Sequence, residues 1–110
     1  MTVIKTNRDL TPTELYKLTR DAKGCKMSHA LGSLTVDAYA IYNEQNNLGE
    51  MQEVLAILTK EGDVFRTISE TFKREFNAIA EIFGDDLPAI QVVNGKTKAG
   101  RDFITVALAE

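Results

Sequence analysis

Catalysis needs a nucleophile, a base or a metal held in a fixed constellation, and the residue types that supply these are sparse in this chain. There is one histidine, His29, and one cysteine, Cys25. An isolated His29 offers no Ser–His–Asp set, and two potential ligands close in sequence do not make a metal site. The expected roles are a small buried thiol for Cys25 and a surface or strand-end imidazole for His29. Gly95-Lys96-Thr97 contains the Gly-Lys-Thr string of a phosphate-binding loop. It lacks the earlier glycine at the required spacing and falls in a hairpin, not before a helix. Asp85-Asp86 pairs two carboxylates in a post-helix turn, where a solvated loop is the expected state. The chain therefore reads as a non-enzyme with no metal or cofactor.

A binding surface has better support. Single-stranded nucleic acid is held by aromatic rings that stack bases, beside cations that track phosphates. The candidate platforms are Tyr39, Tyr42, Phe65 and Phe103, each with a core role as its alternative. Tyr39 and Tyr42 are three positions apart, so on a regular strand they face opposite sides. The candidate phosphate contacts are Arg66, Lys96, Lys98 and Arg101.

Charge distribution supports two basic islands on an acidic body. The formal net charge is −3, which by itself disfavours generic nucleic-acid binding. Residues 1–30 carry Lys5, Arg8, Lys17, Arg20, Lys23 and Lys26 against Asp9, Glu14 and Asp21. Residues 31–95 are acidic, and Lys96, Lys98 and Arg101 follow as a cluster. Cysteine usage and the lack of a signal-peptide core or long apolar run predict a soluble, cytoplasmic chain with no membrane partner.

The elements that must position these residues follow from periodicity. Residues 1–9 read as a polar arm or an added edge strand at Thr2–Lys5. Thr11, Pro12 and Glu14 form a capping signature for a short helix, with Leu15, Leu18 and Ala22 as its apolar stripe and Gly24 as its stop. Ser28–Leu31 is read as either a helical turn or a loop. Leu34–Asn43 alternates as a strand, with Val36, Ala38, Ala40 and Tyr42 on one face and Asp37, Tyr39 and Ile41 on the other. Met51–Thr59 is apolar on both faces, as in a strand covered on both sides. A turn at Lys60–Asp63 leads into a third strand, Val64–Ile68.

Glu70–Phe83 is a helix capped by Ser69 and ended by Gly84, with Phe72, Phe76, Ile79, Ala80 and Phe83 at helical spacing. Ala89–Asn94 and Asp102–Leu108 are strands joined by a tip at Gly95–Arg101. The order β-β-β-α-β-β matches a mainly β, five-stranded OB-like barrel with an N-terminal helical extension, folding as one domain over residues 1–110.

From Glu53 onward the chain resembles the single-stranded DNA-binding proteins of Bacillus phages that replicate linear DNA by protein priming. The matching features are the Val54–Leu58 strand, Gly62-Asp63-Val64-Phe65, Thr67-Ile68-Ser69-Glu70-Thr71, Val92-Val93-Asn94-Gly95-Lys96-Thr97, Gly100 and the β-run to Leu108. Asp37-Ala38-Tyr39-Ala40-Ile41 matches more loosely. The resemblance implies an OB-like domain that coats displaced strands, with Phe65 as a stacking residue and Tyr39 or Tyr42 as a first-strand counterpart. A loop tyrosine of that family has no match in Gln45–Glu50, and the helix at Thr11–Lys23 also departs from the pattern. The expected partner is single-stranded DNA, with further copies or replication proteins as additional partners. The alternative is a small phage protein-interaction module that binds or inhibits a host factor.

Overall fold

The computed structural model describes residues 2–21, 24–30, 32–84 and 86–109. Ala22, Lys23, Leu31 and Asp85, which enter the expectations above, lie outside them. The chain runs β1 (Thr2–Thr6), α1 (Pro12–Thr19), β2 (Cys25–Lys26), a 3₁₀ turn (Met27–His29), β3 (Ser33–Leu34), β4 (Val36–Gln45), β5 (Met51–Thr59), β6 (Val64–Thr67), α2 (Glu70–Phe83), β7 (Ile90–Lys96) and β8 (Asp102–Leu108). The strands form a five-stranded sheet, ordered β1-β4-β5-β6-β2, and a three-stranded sheet, ordered β3-β7-β8. The fold is mainly β with two α-helices among the described residues.

The larger sheet is buried on both faces, as the doubly apolar run Val54–Leu58 requires. Its inner face presents Tyr39, Ile41, Leu55 and Ile57 to Phe72, Phe76 and Ala80 of α2, and to Leu34, Ile90 and Val106 of the smaller sheet. The Tyr39 and Phe76 rings meet edge to face at 5.0 Å. Its outer face presents Ala38, Ala40, Tyr42, Val54, Ala56, Leu58 and Val64, and Leu18 of α1 covers it.

One side-chain assignment needs correction. A register shift in the β4–β5 pairing falls between Val36 and Ala38. Val36 consequently joins the inner core while Ala38, Ala40 and Tyr42 join the outer one. An extra residue in one strand reverses every side chain beyond it. The expected first strand also divides between the sheets, since Ser33–Leu34 pairs with β7 while Val36 onward pairs with β5.

Thr2–Thr6 and Cys25–Lys26 are both strands of the larger sheet. Of the two readings of residues 1–9, the edge strand forms: β1 pairs antiparallel with β4. Asn7 prolongs that pairing with its side chain, whose Oδ1 accepts from the Tyr39 N–H at 2.9 Å. The capping box is complete, with Thr11 Oγ1 accepting from the Glu14 N–H and Glu14 Oε1 accepting from the Thr11 N–H. Arg8 then bridges the helix start to β4 through Glu14 at 2.6 Å and Asp37 at 3.4 Å.

The far end of α1 is held by Arg66. Its guanidinium donates to the carbonyl oxygens of Leu18 (2.7 Å), Lys17 (2.8 Å) and Asp21 (3.1 Å). The Lys17 and Leu18 carbonyls lack helical donors at the C-terminus of α1, where the helix dipole also favours a cation, and the Asp21 carbonyl just beyond also accepts from the Gly24 N–H at 3.0 Å. Gly24 admits the guanidinium, because a side-chain carbon there would overlap it.

The two sheets do not close into the expected OB-like barrel. Closure would need β8 beside β6, but β6 takes the parallel strand β2 as its outer neighbour. The register is Cys25 opposite Phe65 and Lys26 opposite Arg66. A seam therefore remains between this edge and β8.

Candidate functional site

The eight candidate residues separate into three groups. Tyr39 and Tyr42 do face opposite sides, and both are buried, in the inner and outer cores respectively. Neither ring offers a face to a base in this conformation. The Tyr42 hydroxyl is enclosed without a hydrogen-bond partner, and burial pushes its pKa upward, with the Glu44 charge adding to the shift. Phe65 is half-buried against the inner core, so the stacking role implied by resemblance falls on a ring already engaged in packing. Arg66 donates its guanidinium to three carbonyls at the end of α1, which gives it a packing role beside its place among the candidate phosphate contacts.

Lys96, Lys98, Arg101 and Phe103 remain together in the β7–β8 hairpin. Lys98 and Arg101 are exposed at its tip. Lys96 is also exposed and makes only a loose 3.8 Å pair with Asp102. Phe103 is half-buried directly opposite Gly95. The far end of its ring lies where a side chain of residue 95 would otherwise project, the arrangement by which an aromatic shields a strand glycine.

The seam beside this hairpin is a groove. One cavity of about 450 Å³ is walled by Lys26, Met27, Ser28, Thr67, Ile68 and Ile104, among others. A second of about 450 Å³ is walled by Ser28, Ser69, Asn94, Gly95, Asp102, Phe103 and Ile104. They adjoin through Ser28 and Ile104, which line both. At the other end Glu44 links the first to a hollow of about 350 Å³ bounded by Arg20, Gln45 and Met51. These neighbouring hollows lie between the β4–β5 hairpin and the basic hairpin, with Arg20 lining one and Lys26 another. Ile68, 56 % exposed, gives the groove an apolar lip.

One wall is an unpaired strand edge. Thr97 N–H donates to Arg101 and Ala109 N–H to Ala89, which sets the phase of the β7–β8 ladder. The odd-numbered residues of β8 bond to β7, and Asp102 and Ile104 turn their N–H and C=O groups toward the seam.

Several groove residues escaped sequence reasoning. Lys26 carried only a charge, and Ser28, Ser69 and Asn94 are ordinary loop and strand types. The usable signal was Gly95 opposite Phe103, once the hairpin register is set. Cys25 is exposed rather than buried, because β2 is an edge strand. Among the described residues no three His, Cys, Asp or Glu side chains gather as a metal site would require, and no helix is long and apolar enough to cross a membrane. No protein-family model, curated protein or solved structure matches the chain.

Proposed function

We propose that this protein binds single-stranded DNA along the seam, without catalysing a reaction on it. The observation that carries the reading is the gathering of three exposed cations, Lys96, Lys98 and Arg101, and a half-buried aromatic, Phe103, in one hairpin beside an open groove. Bases enter the groove while phosphates follow the hairpin, with Lys26 and Arg20 extending the basic track. The OB-like element order and the resemblance to phage single-stranded DNA-binding proteins support the same reading. A groove between strands with a flanking hairpin admits an unstacked strand, whereas a duplex keeps its bases turned inward.

The test is fluorescence anisotropy with labelled single- and double-stranded oligonucleotides over a salt series. The three hairpin cations alone predict a slope of about −2 in log affinity against log salt, from roughly 0.7 per contact on single strands, and engagement of Lys26 and Arg20 steepens it to about −3.5. Failure to bind any single strand at low salt would overturn the reading.

A further inference from the structure

The solvent face of α1 carries a pattern that the fold does not use. Leu18 and Thr19 are buried, while Thr13, Tyr16, Lys17 and Arg20 are exposed on the opposite side of the helix. Among the three tyrosines and five phenylalanines, Tyr16 is the most exposed, at 61 %. Its carbonyl accepts from the Arg20 N–H at 2.8 Å, so the ring and the guanidinium leave adjacent turns. Among the described residues neither Lys17 nor Arg20 enters an ion pair. Cations at a helix C-terminus are accounted for by its dipole. An exposed ring between them gains nothing from the dipole and little from packing.

The helix that carries this ring is fixed at both ends, by the Thr11–Glu14 capping box and by Arg66. A ring on such a support binds with little further ordering of the backbone. Arg20 also lines the hollow bounded by Glu44, Gln45 and Met51, so the free face of α1 adjoins the groove. Resting on the groove reading above, we infer that a single strand leaving the groove turns onto α1, where Tyr16 stacks a base and Lys17 and Arg20 meet the neighbouring phosphates. Stacking on an exposed ring beside cations is the mode by which unpaired strands are held without sequence preference.

Anisotropy and intrinsic fluorescence with oligo(dT) test this on the whole chain. There is no tryptophan, and Tyr39 and Tyr42 are buried, so quenching of tyrosine emission by a stacked base reports on Tyr16. The wild type is quenched on binding. Tyr16→Ala weakens binding about fivefold or more and leaves the salt slope unchanged, with the circular-dichroism spectrum confirming that the variant is folded. Tyr16→Phe keeps the affinity, because stacking needs no hydroxyl, and loses the quenching. Lys17→Ala makes the salt slope shallower by about 0.7.

A folded Tyr16→Ala variant of unchanged affinity overturns the platform while leaving the groove reading intact. So does a Tyr16→Phe variant as weak as Tyr16→Ala or quenched as fully as the wild type, and so does a Lys17→Ala slope equal to that of the wild type. Absence of wild-type binding to oligo(dT) at low salt overturns the groove reading, and the platform with it.

Discussion

Arg66 separates two accounts of the same residue type. As a phosphate contact it would serve affinity, and any cation could replace it. As a clamp on α1 it serves stability, and its planar fork spans three carbonyls set apart in fixed directions, which a point-like ammonium does not reproduce. Each hydrogen bond from a charged donor contributes about 1.5–3 kcal/mol when shielded from water. The bonds to Leu18 and Asp21 are partly buried, and that to Lys17 is exposed and contributes little. Water replaces part of what is lost, so Arg66→Ala is expected to cost about 2–4 kcal/mol. For a domain of this size that corresponds to a drop in Tm on the order of 10 °C.

Arg66→Lys is the decisive variant, because it preserves the charge and loses the fork. It should recover less than half of the lost stability in urea or thermal unfolding. The salt slope of oligonucleotide binding, measured on folded protein, should match that of the wild type. A fully stable Arg66→Lys, or an Arg66→Ala variant whose slope is shallower by about 0.7, would refute the clamp and restore the phosphate contact.

Two other predictions concern the supports around the site. The Arg8 guanidinium, and after it the Thr11 backbone, hold the Glu14 carboxyl at a pKa of about 2 against an ordinary 4.5. A carboxylate depressed by folding contributes stability above its unfolded pKa and loses it as pH falls through the folded one. The wild type should therefore lose stability between pH 4.5 and 2, and Glu14→Gln should lose less over that window in urea midpoints; equal pH dependence would exclude this network. Lys73 is buried, and its Nζ donates to the Glu53 carbonyl (3.1 Å) and to the carboxylates of Glu53 (3.3 Å) and Glu70 (2.8 Å). Lys73→Met keeps the alkyl stem but releases α2 from β5, at an expected cost of about 1–2 kcal/mol. The same change at exposed Arg74 should be neutral, and equal effects at the two positions would count against the tether.

How far the sequence reached depended on whether a feature was local. The Thr11 capping box, the Ser69 cap on α2 and the Lys60–Asp63 turn with Gly62 at φ +92° are each set by residues within four positions, and each forms. The two-sided burial of Val54–Leu58 was also legible, because both parities of the run are apolar. What covers the outer face was not legible, since the narrow stripe of α1 identifies no target. The irregularity between Val36 and Ala38 leaves no mark in an alternating pattern, so it displaced Val36 to the other core unseen. For the same reason Tyr42 reads as a surface ring until the outer face is known to be covered. Arg66 is read as free charge because its three partners are backbone carbonyls more than 40 residues away in sequence.

These non-local features share one cause. Cys25–Lys26 runs beside β6, and Arg66 and Gly24 draw the end of α1 to the same strand. Placing α1 there seals the outer face of β4, β5 and β6, where Tyr42 would otherwise be exposed. Placing β2 there occupies the edge that β8 needs for closure, which leaves the backbone of Asp102 and Ile104 open. A single connection thus withdraws one surface and creates another. It leaves Phe103 and the cations Lys96, Lys98 and Arg101 on the β7–β8 hairpin, apart from the sheet face that α1 covers.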